Sequence, residues 1–158
     1  MLRSQDSLGA REKPLPMAMT RKEKVALLRG VKLFAGLGPK VLGEIADLME
    51  EIAFPAGRYI VRQGQVGTGF YIVTAGRALV ERGGRLLNAL GPGEFFGELS
   101  VLDQSPRMAH VRAEGPTTVL ALASWDFTKL LERNPKVTLG ILKEVARRLR
   151  DTTDQHTH

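Results

Sequence analysis

The sequence predicts a mainly β domain with helices at both ends. From Glu51 onward the apolar pattern changes from helical spacing to short runs rich in β-branched and aromatic residues. Glycines separate these runs, and helical patterns precede and follow them. Strands this short and regularly spaced favour an antiparallel sandwich or barrel over a parallel α/β sheet. A chain of 158 residues fits a single domain, which we place at residues 20–153.

The first residues predict a basic, disordered extension. Residues 1–19 mix charges with prolines and a glycine and show no sustained periodicity. Residues 1–32 hold eight Lys/Arg against three Asp/Glu, whereas residues 33–158 hold fifteen against fourteen. Most of the net charge of +6 therefore belongs to the N-terminal part. Such a tail is either a solvated leader or an arm that contacts nucleic acid or an acidic partner.

Two helices are predicted within residues 20–50. Thr20 and Glu23 have the spacing of a capping box, so a short helix should follow Thr20 and end near Gly30. Gly38-Pro39 starts the second helix, because proline tolerates the first helical position. Its apolar residues fall on one face: Val41, Leu42, Ile45, Ala46, Leu48 and Met49.

Seven β-rich runs are predicted within residues 51–123. Turn residues separate them, and Arg82-Gly83-Gly84-Arg85 has the form of a two-residue hairpin loop. The runs are Glu51–Phe54, Tyr59–Arg62, Phe70–Thr74, Ala78–Arg82, Leu86–Leu90, Ala109–Ala113 and Thr118–Ala123.

Two helices are predicted within residues 124–153, at Ser124–Arg133 and Pro135–Thr152, and residues 154–158 form a tail. The second helix has Pro135 as its initiator. Its apolar stripe either packs on the strands or pairs two copies of the chain into a homodimer; the stripe is formed by Ile141, Leu142, Val145 and Leu149.

The segment with the most specific chemistry is Phe95-Phe96-Gly97-Glu98-Leu99-Ser100, followed by Pro106-Arg107-Met108-Ala109. It combines a glycine-led turn that exposes backbone N–H groups with one carboxylate and one guanidinium. A cyclic phosphodiester joined to a ribose needs these groups. The phosphate requires N–H donors and a cation, and the free 2′-hydroxyl requires an acceptor.

This segment resembles the phosphate-binding cassette of cyclic nucleotide-binding domains, as in bacterial cyclic-AMP receptor proteins, cyclic-nucleotide-gated channels and protein kinase A regulatory subunits. The resemblance covers about residues 31–150. It implies an eight-stranded antiparallel β-roll (a double-stranded β-helix or jelly roll) with N-terminal and C-terminal helices. Further landmarks match at Leu33-Phe34-x-x-Leu37, Gly57, Gln63-Gly64, Phe70-Tyr71, Gly76 and Leu90-Gly91-Pro92-Gly93.

The resemblance implies a role for each cassette residue. Gly97, Glu98 and Leu99 begin a short helix whose N–H groups face the ligand, and Glu98 accepts a hydrogen bond from the ribose 2′-hydroxyl. Arg107 binds an equatorial phosphate oxygen through its planar fork. Each residue also has a simpler explanation. Gly97 would be a plain turn glycine, Glu98 an acid that favours the helix dipole, and Arg107 a salt-bridge partner of Glu98.

Four further residues complete the candidate site. Met108 stands where the family usually has Ser or Thr, so we expect affinity about threefold to tenfold lower and no preference for cyclic GMP. The Ala109 N–H can reach the phosphate. Arg148 aligns with an arginine that stacks over the purine as a lid in some channels, or it belongs to a basic C-terminal turn. Val80 either forms an apolar wall near the base or only packs in the core.

Composition and motifs argue against catalysis. The chain has no cysteine, and its three histidines do not form a metal-binding pattern. No nucleophile elbow, phosphate loop or kinase motif is present. We therefore expect no enzyme, metal or cofactor. Nor do we expect a signal peptide or membrane segment, because no apolar run is long enough.

The leading hypothesis is a cytoplasmic sensor that binds a cyclic nucleotide, with cyclic AMP favoured, and signals through its C-terminal helices to an unidentified effector protein. Only five residues follow Thr153, so we expect no DNA-binding domain of its own. Two alternatives are open. The chain is a ligand-blind β-roll used as a protein-interaction module, or a nucleic-acid-associated regulator that acts through its basic N-terminal arm.

Overall fold

The structure is a computed structural model that describes residues 18–65, 69–98 and 107–156, with side chains described up to residue 151. Its helices are α1 (Arg21–Arg29), α2 (Pro39–Leu48), α3 (Ser124–Arg133) and α4 (Pro135–His156), with a 3-10 turn at Lys32–Phe34. Its strands are β1 (Glu50–Phe54), β2 (Tyr59–Val61), β3 (Gly69–Ala75), β4 (Ala78–Arg82), β5 (Arg85–Leu90), β6 (Phe95–Phe96), β7 (His110–Ala113) and β8 (Thr117–Ala123).

In the described residues, the strands form two antiparallel sheets of four strands each. One sheet has the order β1-β8-β3-β6 and the other the order β2-β7-β4-β5. Strands distant in the chain pair with each other, as β1 pairs with β8 and β2 with β7. The predicted mainly β fold, an antiparallel β-roll with flanking helices, is confirmed.

The helix starts follow the predicted capping chemistry. The Thr20 hydroxyl accepts a hydrogen bond from the Glu23 N–H at 3.1 Å, and the Glu23 carboxylate accepts one from the Thr20 N–H at 2.8 Å. Together these bonds satisfy two donors that a helix start leaves unpaired. Gly30 caps the end of α1, and Gly38 precedes Pro39 at the start of α2. The two helices predicted within residues 20–50 are therefore confirmed.

The predicted hairpin between β4 and β5 is also present. Arg82 pairs with Arg85, and the loop residues Gly83 and Gly84 have φ of 58° and 78°. Two consecutive positive φ values match the two-residue turn that follows the twist of antiparallel strands.

The last helix differs from the prediction in length and in its apolar faces. It continues to His156, so residues 154–156 are helical and not a tail. Ile141 is buried, whereas Leu142 and Leu149 are 61% and 66% exposed, so the predicted stripe divides between two faces. Arg147 bonds Asp151, which supports the last turns. Within the part of the chain that the structure describes, no helix has the length and apolar character needed to cross a bilayer.

The strand β6 was not predicted, because it has only two residues and falls inside the cassette motif. Its two aromatic side chains belong to different clusters. Phe95 packs with the helices, where Phe70 stacks on Phe127 with ring centroids 4.3 Å apart, while Phe96 packs with Val73 in the second cluster. Alternate residues of β3 divide in the same way, so the β1-β8-β3-β6 sheet has an apolar cluster on each face. This sheet places Phe95, the first residue of the cassette, against the C-terminal helices.

Gly76 offers a test of close packing in the roll. Its φ is +84°, and an added Cβ would meet the Pro116 carbonyl oxygen and lie 2.8 Å from the Thr117 Cα. Gly57 is a matched control, because its φ is +83° and its Cβ would meet nothing within 4 Å. Gly57→Ala should lose about 1–2 kcal/mol through the left-handed backbone alone. Gly76→Ala should lose about 1–3 kcal/mol more through the backbone contact.

The measurement is urea denaturation of both variants beside the wild type. Equal losses in the two variants would mean that the chain around Gly76 relaxes around the added methyl group, and would contradict the close approach.

Candidate functional site

A buried guanidinium forms the centre of the site. The Arg107 side chain donates from Nη1 to the Gly97 carbonyl at 3.0 Å and from Nη2 to the Gly69 carbonyl at 2.8 Å. Only 7% of the residue is exposed. Burial lowers the pKa of Arg107 from its ordinary value, while nearby Tyr71 and Glu98 oppose this effect. The contacts of this cation are neutral carbonyl oxygens, an arrangement that leaves its charge available to an anion.

The main chain of Arg107 is fixed as well as its side chain. Its carbonyl accepts a hydrogen bond from the Gly64 N–H at 2.8 Å, and its N–H donates to the Gln65 carbonyl at 2.7 Å. These two bonds join Arg107 to the segment that follows β2. The position of the guanidinium therefore depends on that segment as well as on β7.

Gly97 has a conformation and a packing that only glycine satisfies. Its φ is +96°, and an added Cβ would lie 2.7 Å from the Gly69 carbonyl oxygen and 2.8 Å from the Arg107 Nη1. A larger residue would displace the guanidinium. Glu98, the second residue of the predicted short helix, follows in helical conformation. Leu99, the third residue of that prediction, lies outside the described residues.

Glu98 places a buried carboxylate beside the guanidinium of Arg148. The residue is 3% exposed, and its Oε2 accepts a hydrogen bond from the Arg148 Nη1 at 3.2 Å. Within the described ranges, Oε1 is buried and has no hydrogen-bond partner. Burial raises the pKa of Glu98, and the charge of Arg148 opposes that rise. An unsatisfied acceptor of this kind is a strained arrangement that a hydroxyl donor would relieve.

Arg148 connects α4 to the cassette. Besides Glu98, its guanidinium donates to the Phe95 carbonyl at 2.7 Å and to the Glu144 carboxylate at 3.0 Å. It also lies 4.9 Å from the centroid of the Phe95 ring. Because α4 continues to His156, Arg148 does not belong to a terminal basic turn. Its contacts instead join the last helix to the strand that precedes Gly97.

The structure thus brings together four of the predicted residues: Gly97, Glu98, Arg107 and Arg148. The simpler explanation for Arg107, a salt bridge to Glu98, does not match its contacts, since Glu98 pairs with Arg148.

The other predicted residues lie at or beyond the edge of this group. Met108 directly follows Arg107 and is 58% exposed, while Ala109 is half-buried. Val80 lies on β4 in the other sheet, opposite Val111, and packs against the second apolar cluster. These contacts of Val80 correspond to its core role, and its approach to a base stays a prediction.

Sequence reasoning missed several groups that build the site. Gly69 and Phe95 accept hydrogen bonds from Arg107 and Arg148 through their main-chain carbonyls, and no sequence pattern predicts such main-chain contacts. Tyr71, whose ring stacks on Phe96 and lies 6.0 Å from the Arg107 guanidinium, was noted only as a family landmark. Glu144 could have been found, because it stands four residues before Arg148 on the same helix.

The arrangement suits binding of an anion that also carries a hydroxyl group. It offers a buried cation with donors and, beside it, a buried acceptor. Among the described residues, no group of three or more His, Cys, Asp or Glu could hold a metal ion.

Comparison with known proteins identifies this architecture. Residues 51–134 match the family model of the cyclic nucleotide-binding domain. A cyclic AMP receptor protein from Thermus thermophilus is 37% identical over 129 residues, which are 78% of this chain and 60% of the relative. A cAMP-dependent protein kinase regulatory subunit from Emericella nidulans is 37% identical over 113 residues, which are 70% of this chain and 27% of the relative.

A solved structure supports the same assignment. The regulatory domain of Toxoplasma gondii PKA, crystallised with cAMP, matches with a TM-score of 0.72 and 30% identity. The match covers 80% of this chain and 50% of that one. The chain therefore spans between about a quarter and about 60% of these relatives.

The raised pKa of Glu98 predicts how a neutral replacement changes stability with pH. A carboxyl whose pKa is higher in the folded state binds its proton more tightly there, so folding stability falls as pH rises through that raised pKa. Glu98→Gln removes this titration. The free energy of unfolding of Glu98→Gln should therefore increase relative to wild type as pH rises above about 4.3, the ordinary carboxyl pKa.

Glu144→Gln is the matched control with the opposite sign. Hydrogen bonding to Arg147 lowers the pKa of Glu144, so its ionised form stabilises the fold. This variant should lose stability relative to wild type as pH rises toward about 4.3, which is below the range in which the Glu98 effect develops. Urea denaturation at pH values on both sides of about 4.3 measures both effects. If the two variants changed in the same direction, the assignment for Glu98 would be wrong.

Proposed function

The chain belongs to the cyclic nucleotide-binding domain family, and we propose that it binds a cyclic mononucleotide, with cyclic AMP as the favoured ligand. One pair of buried groups in the described residues carries this proposal. The Arg107 guanidinium donates its hydrogen bonds to main-chain carbonyls, and the Glu98 carboxylate has no hydrogen-bond partner at Oε1. A cyclic phosphate esterified to a ribose supplies both an anion and a hydroxyl donor. Two of the relatives named above carry cyclic AMP in their names, which supports this choice of ligand.

Arg107 is the proposed phosphate ligand. A guanidinium has five N–H donors, and the contacts to Gly69 and Gly97 use two of them. The remaining donors suit the planar, bidentate geometry of a phosphate edge. The two carbonyls hold the side chain before the ligand arrives, so little rotamer entropy is lost on binding. Proposed additional donors are the N–H groups of Leu99 and Ala109.

Glu98 is the proposed ribose ligand, and Arg148 links it to the rest of the protein. The 2′-hydroxyl would donate to the carboxylate that now accepts from Arg148. Ligand binding would therefore change the strength of the contact between α4 and the cassette. By linkage, the ligand shifts α4 only as far as its affinity differs between the two arrangements of that helix. This change in the contact between Arg148 and Glu98 is the proposed relay, and a lid role over the purine for Arg148 is compatible with it.

The remaining assignments follow from this proposal. We assign binding without catalysis, and a cytoplasmic location, where cyclic nucleotides act as signals. An effector protein would recognise the moving helix. The exposed apolar face of α4, formed by Leu139, Leu142 and Leu149, is the proposed contact of a homodimer.

Two alternative functions are open, and a different observation would favour each of them. A ligand-blind interaction module would bind no cyclic nucleotide at all, and Met108 is the residue that favours it. A nucleic-acid-associated regulator would depend on the basic residues near the N-terminus. That alternative predicts a salt-dependent DNA mobility shift that disappears when residues 1–19 are deleted.

Calorimetric titration with cyclic AMP tests the proposal. Arg107→Ala should weaken binding at least about thirtyfold, because it removes a charged donor from a desolvated site. Arg107→Lys should give an intermediate loss, since it keeps the charge but not the fork. Arg82→Ala, which removes an exposed arginine on the β4–β5 hairpin, is the matched control and should bind like wild type.

A second arm uses 2′-deoxy cyclic AMP, which should bind about fivefold to 150-fold more weakly than cyclic AMP because Glu98 loses its donor. Thermal unfolding verifies that each variant is folded. Absence of binding by folded wild-type protein would overturn the proposal and favour the interaction module.

Replacing Met108 with a hydroxyl-bearing residue should increase the affinity for cyclic AMP. Met108→Thr restores a hydroxyl at the position that directly follows Arg107, and should increase cyclic AMP affinity about threefold to tenfold. Met108→Val is the matched control, with the branched shape of threonine but no hydroxyl, and should give no comparable gain.

The same titrations with cyclic GMP check the expected specificity. Cyclic GMP binding at least tenfold tighter than cyclic AMP binding by the wild type would contradict the inference drawn from Met108.

A further inference from the structure

The segment that fixes Arg107 is itself held by a histidine. Backbone pairing between β2 and β7 includes Val61 opposite Val111. Beyond it, Gly64 and Gln65 bond the main chain of Arg107. Between these two points, the Gln63 N–H donates to Nδ1 of the His110 imidazole at 3.0 Å. The imidazole therefore supplies the acceptor for an N–H group that lies between two stretches of backbone pairing.

We infer that His110 is a pH-sensitive positioning residue for Arg107, so that the affinity of the site falls when this imidazole is protonated. The inference rests on the proposed function, because it takes Arg107 as the phosphate ligand. It follows from the contacts of residues 62–65, which are bonded to the main chain of Arg107 on one side and to the His110 ring on the other.

The chemistry of imidazole makes this contact a switch. A neutral imidazole donates from one nitrogen and accepts at the other, whereas both nitrogens of the protonated ring are donors. Once Nδ1 carries a proton it can no longer accept the hydrogen bond from the Gln63 N–H, and this bond is lost. Histidine is the side chain whose ordinary pKa places this change near neutral pH.

Charged groups of both signs lie around His110. Glu81 is the cross-strand partner of His110 and would favour the protonated ring. However, the Glu81 carboxylate already binds Arg112 through two hydrogen bonds of 2.7 and 3.2 Å. The Tyr59 ring packs against the imidazole with centroids 5.1 Å apart, and the guanidinium of Arg62 lies 4.6 Å from the centre of that tyrosine ring. The direction of the effect follows from the Gln63 contact, because a protonated Nδ1 cannot accept this hydrogen bond.

Protonation should therefore release residues 62–65 and loosen the hydrogen bonds that fix Arg107. The loss corresponds to one neutral hydrogen bond, so cyclic AMP affinity should fall about threefold to tenfold between about pH 8 and about pH 5.5.

The test is calorimetric titration of the full chain with cyclic AMP at pH 8, 7, 6 and 5.5, with wild type, His110→Asn and His110→Phe. Asparagine can place its Oδ1 where the imidazole has Nδ1 and accepts at every pH, so His110→Asn should bind like wild type at pH 8 and keep that affinity at pH 5.5. His110→Phe keeps a ring without an acceptor and should bind about threefold to tenfold more weakly at every pH.

The asparagine variant also separates His110 from other titrating groups, because Glu98 and its raised pKa are unchanged in it. A wild-type affinity that does not change with pH would overturn the inference. So would a His110→Asn variant with the same pH dependence as wild type.

A second measurement distinguishes this inference from the proposed function. In an NMR titration without ligand, the amide signals of Gln63 and Arg107 should shift with the protonation of His110, and the shift should be absent in His110→Asn. If cyclic AMP does not bind but these amides follow the histidine, the proposed function fails while the mechanical link stands. If the amides do not follow it, the inference fails whatever the ligand result.

Discussion

The hydrogen bonds from the buried Arg107 guanidinium to the Gly69 and Gly97 carbonyls are the constraint on which the site depends. A cation removed from water needs acceptors, and here two main-chain oxygens at the same end of the β3–β6 pairing region provide them. Gly97 must be glycine so that its carbonyl can approach the guanidinium at positive φ. Residues 62–65 must stay in place because they bond the Arg107 main chain. The guanidinium is therefore preorganised, and a ligand need not pay for its ordering.

The carboxylate of Glu98 differs from the Arg107 guanidinium, because one of its oxygens is buried without a hydrogen-bond partner in the described residues. Arg148 satisfies one oxygen, while the other is buried without a partner in the described part of the chain. Burial raises the pKa of this carboxyl, so the ionised form destabilises the protein at neutral pH. Binding sites often retain such strain because the ligand relieves it. The same residue thus weakens the fold and favours a hydroxyl-bearing anion.

Local chemistry explains what the sequence could predict. The capping box at Thr20, the hairpin at Gly83-Gly84 and the strands between turn glycines each depend on residues close together in the chain. The acceptors of Arg107 could not be foreseen in this way, since Gly69 is 38 residues distant and contributes only a carbonyl. The stripe on α4 was misjudged because helical spacing does not say which side a sheet will cover, and Leu142 is exposed as a result. The predicted role of Leu99 lies outside the described residues.

The two phenylalanines of β6 give the cassette a mechanical property. Adjacent residues of a strand point to opposite faces, so Phe95 is embedded among the helices while Phe96 lies in the other apolar cluster. Tight interiors resist gradual deformation and tend to repack in discrete steps. A displacement of this short strand therefore has to disturb both clusters together or neither. Because of this coupling, the molecule would change between two arrangements in one step and not gradually.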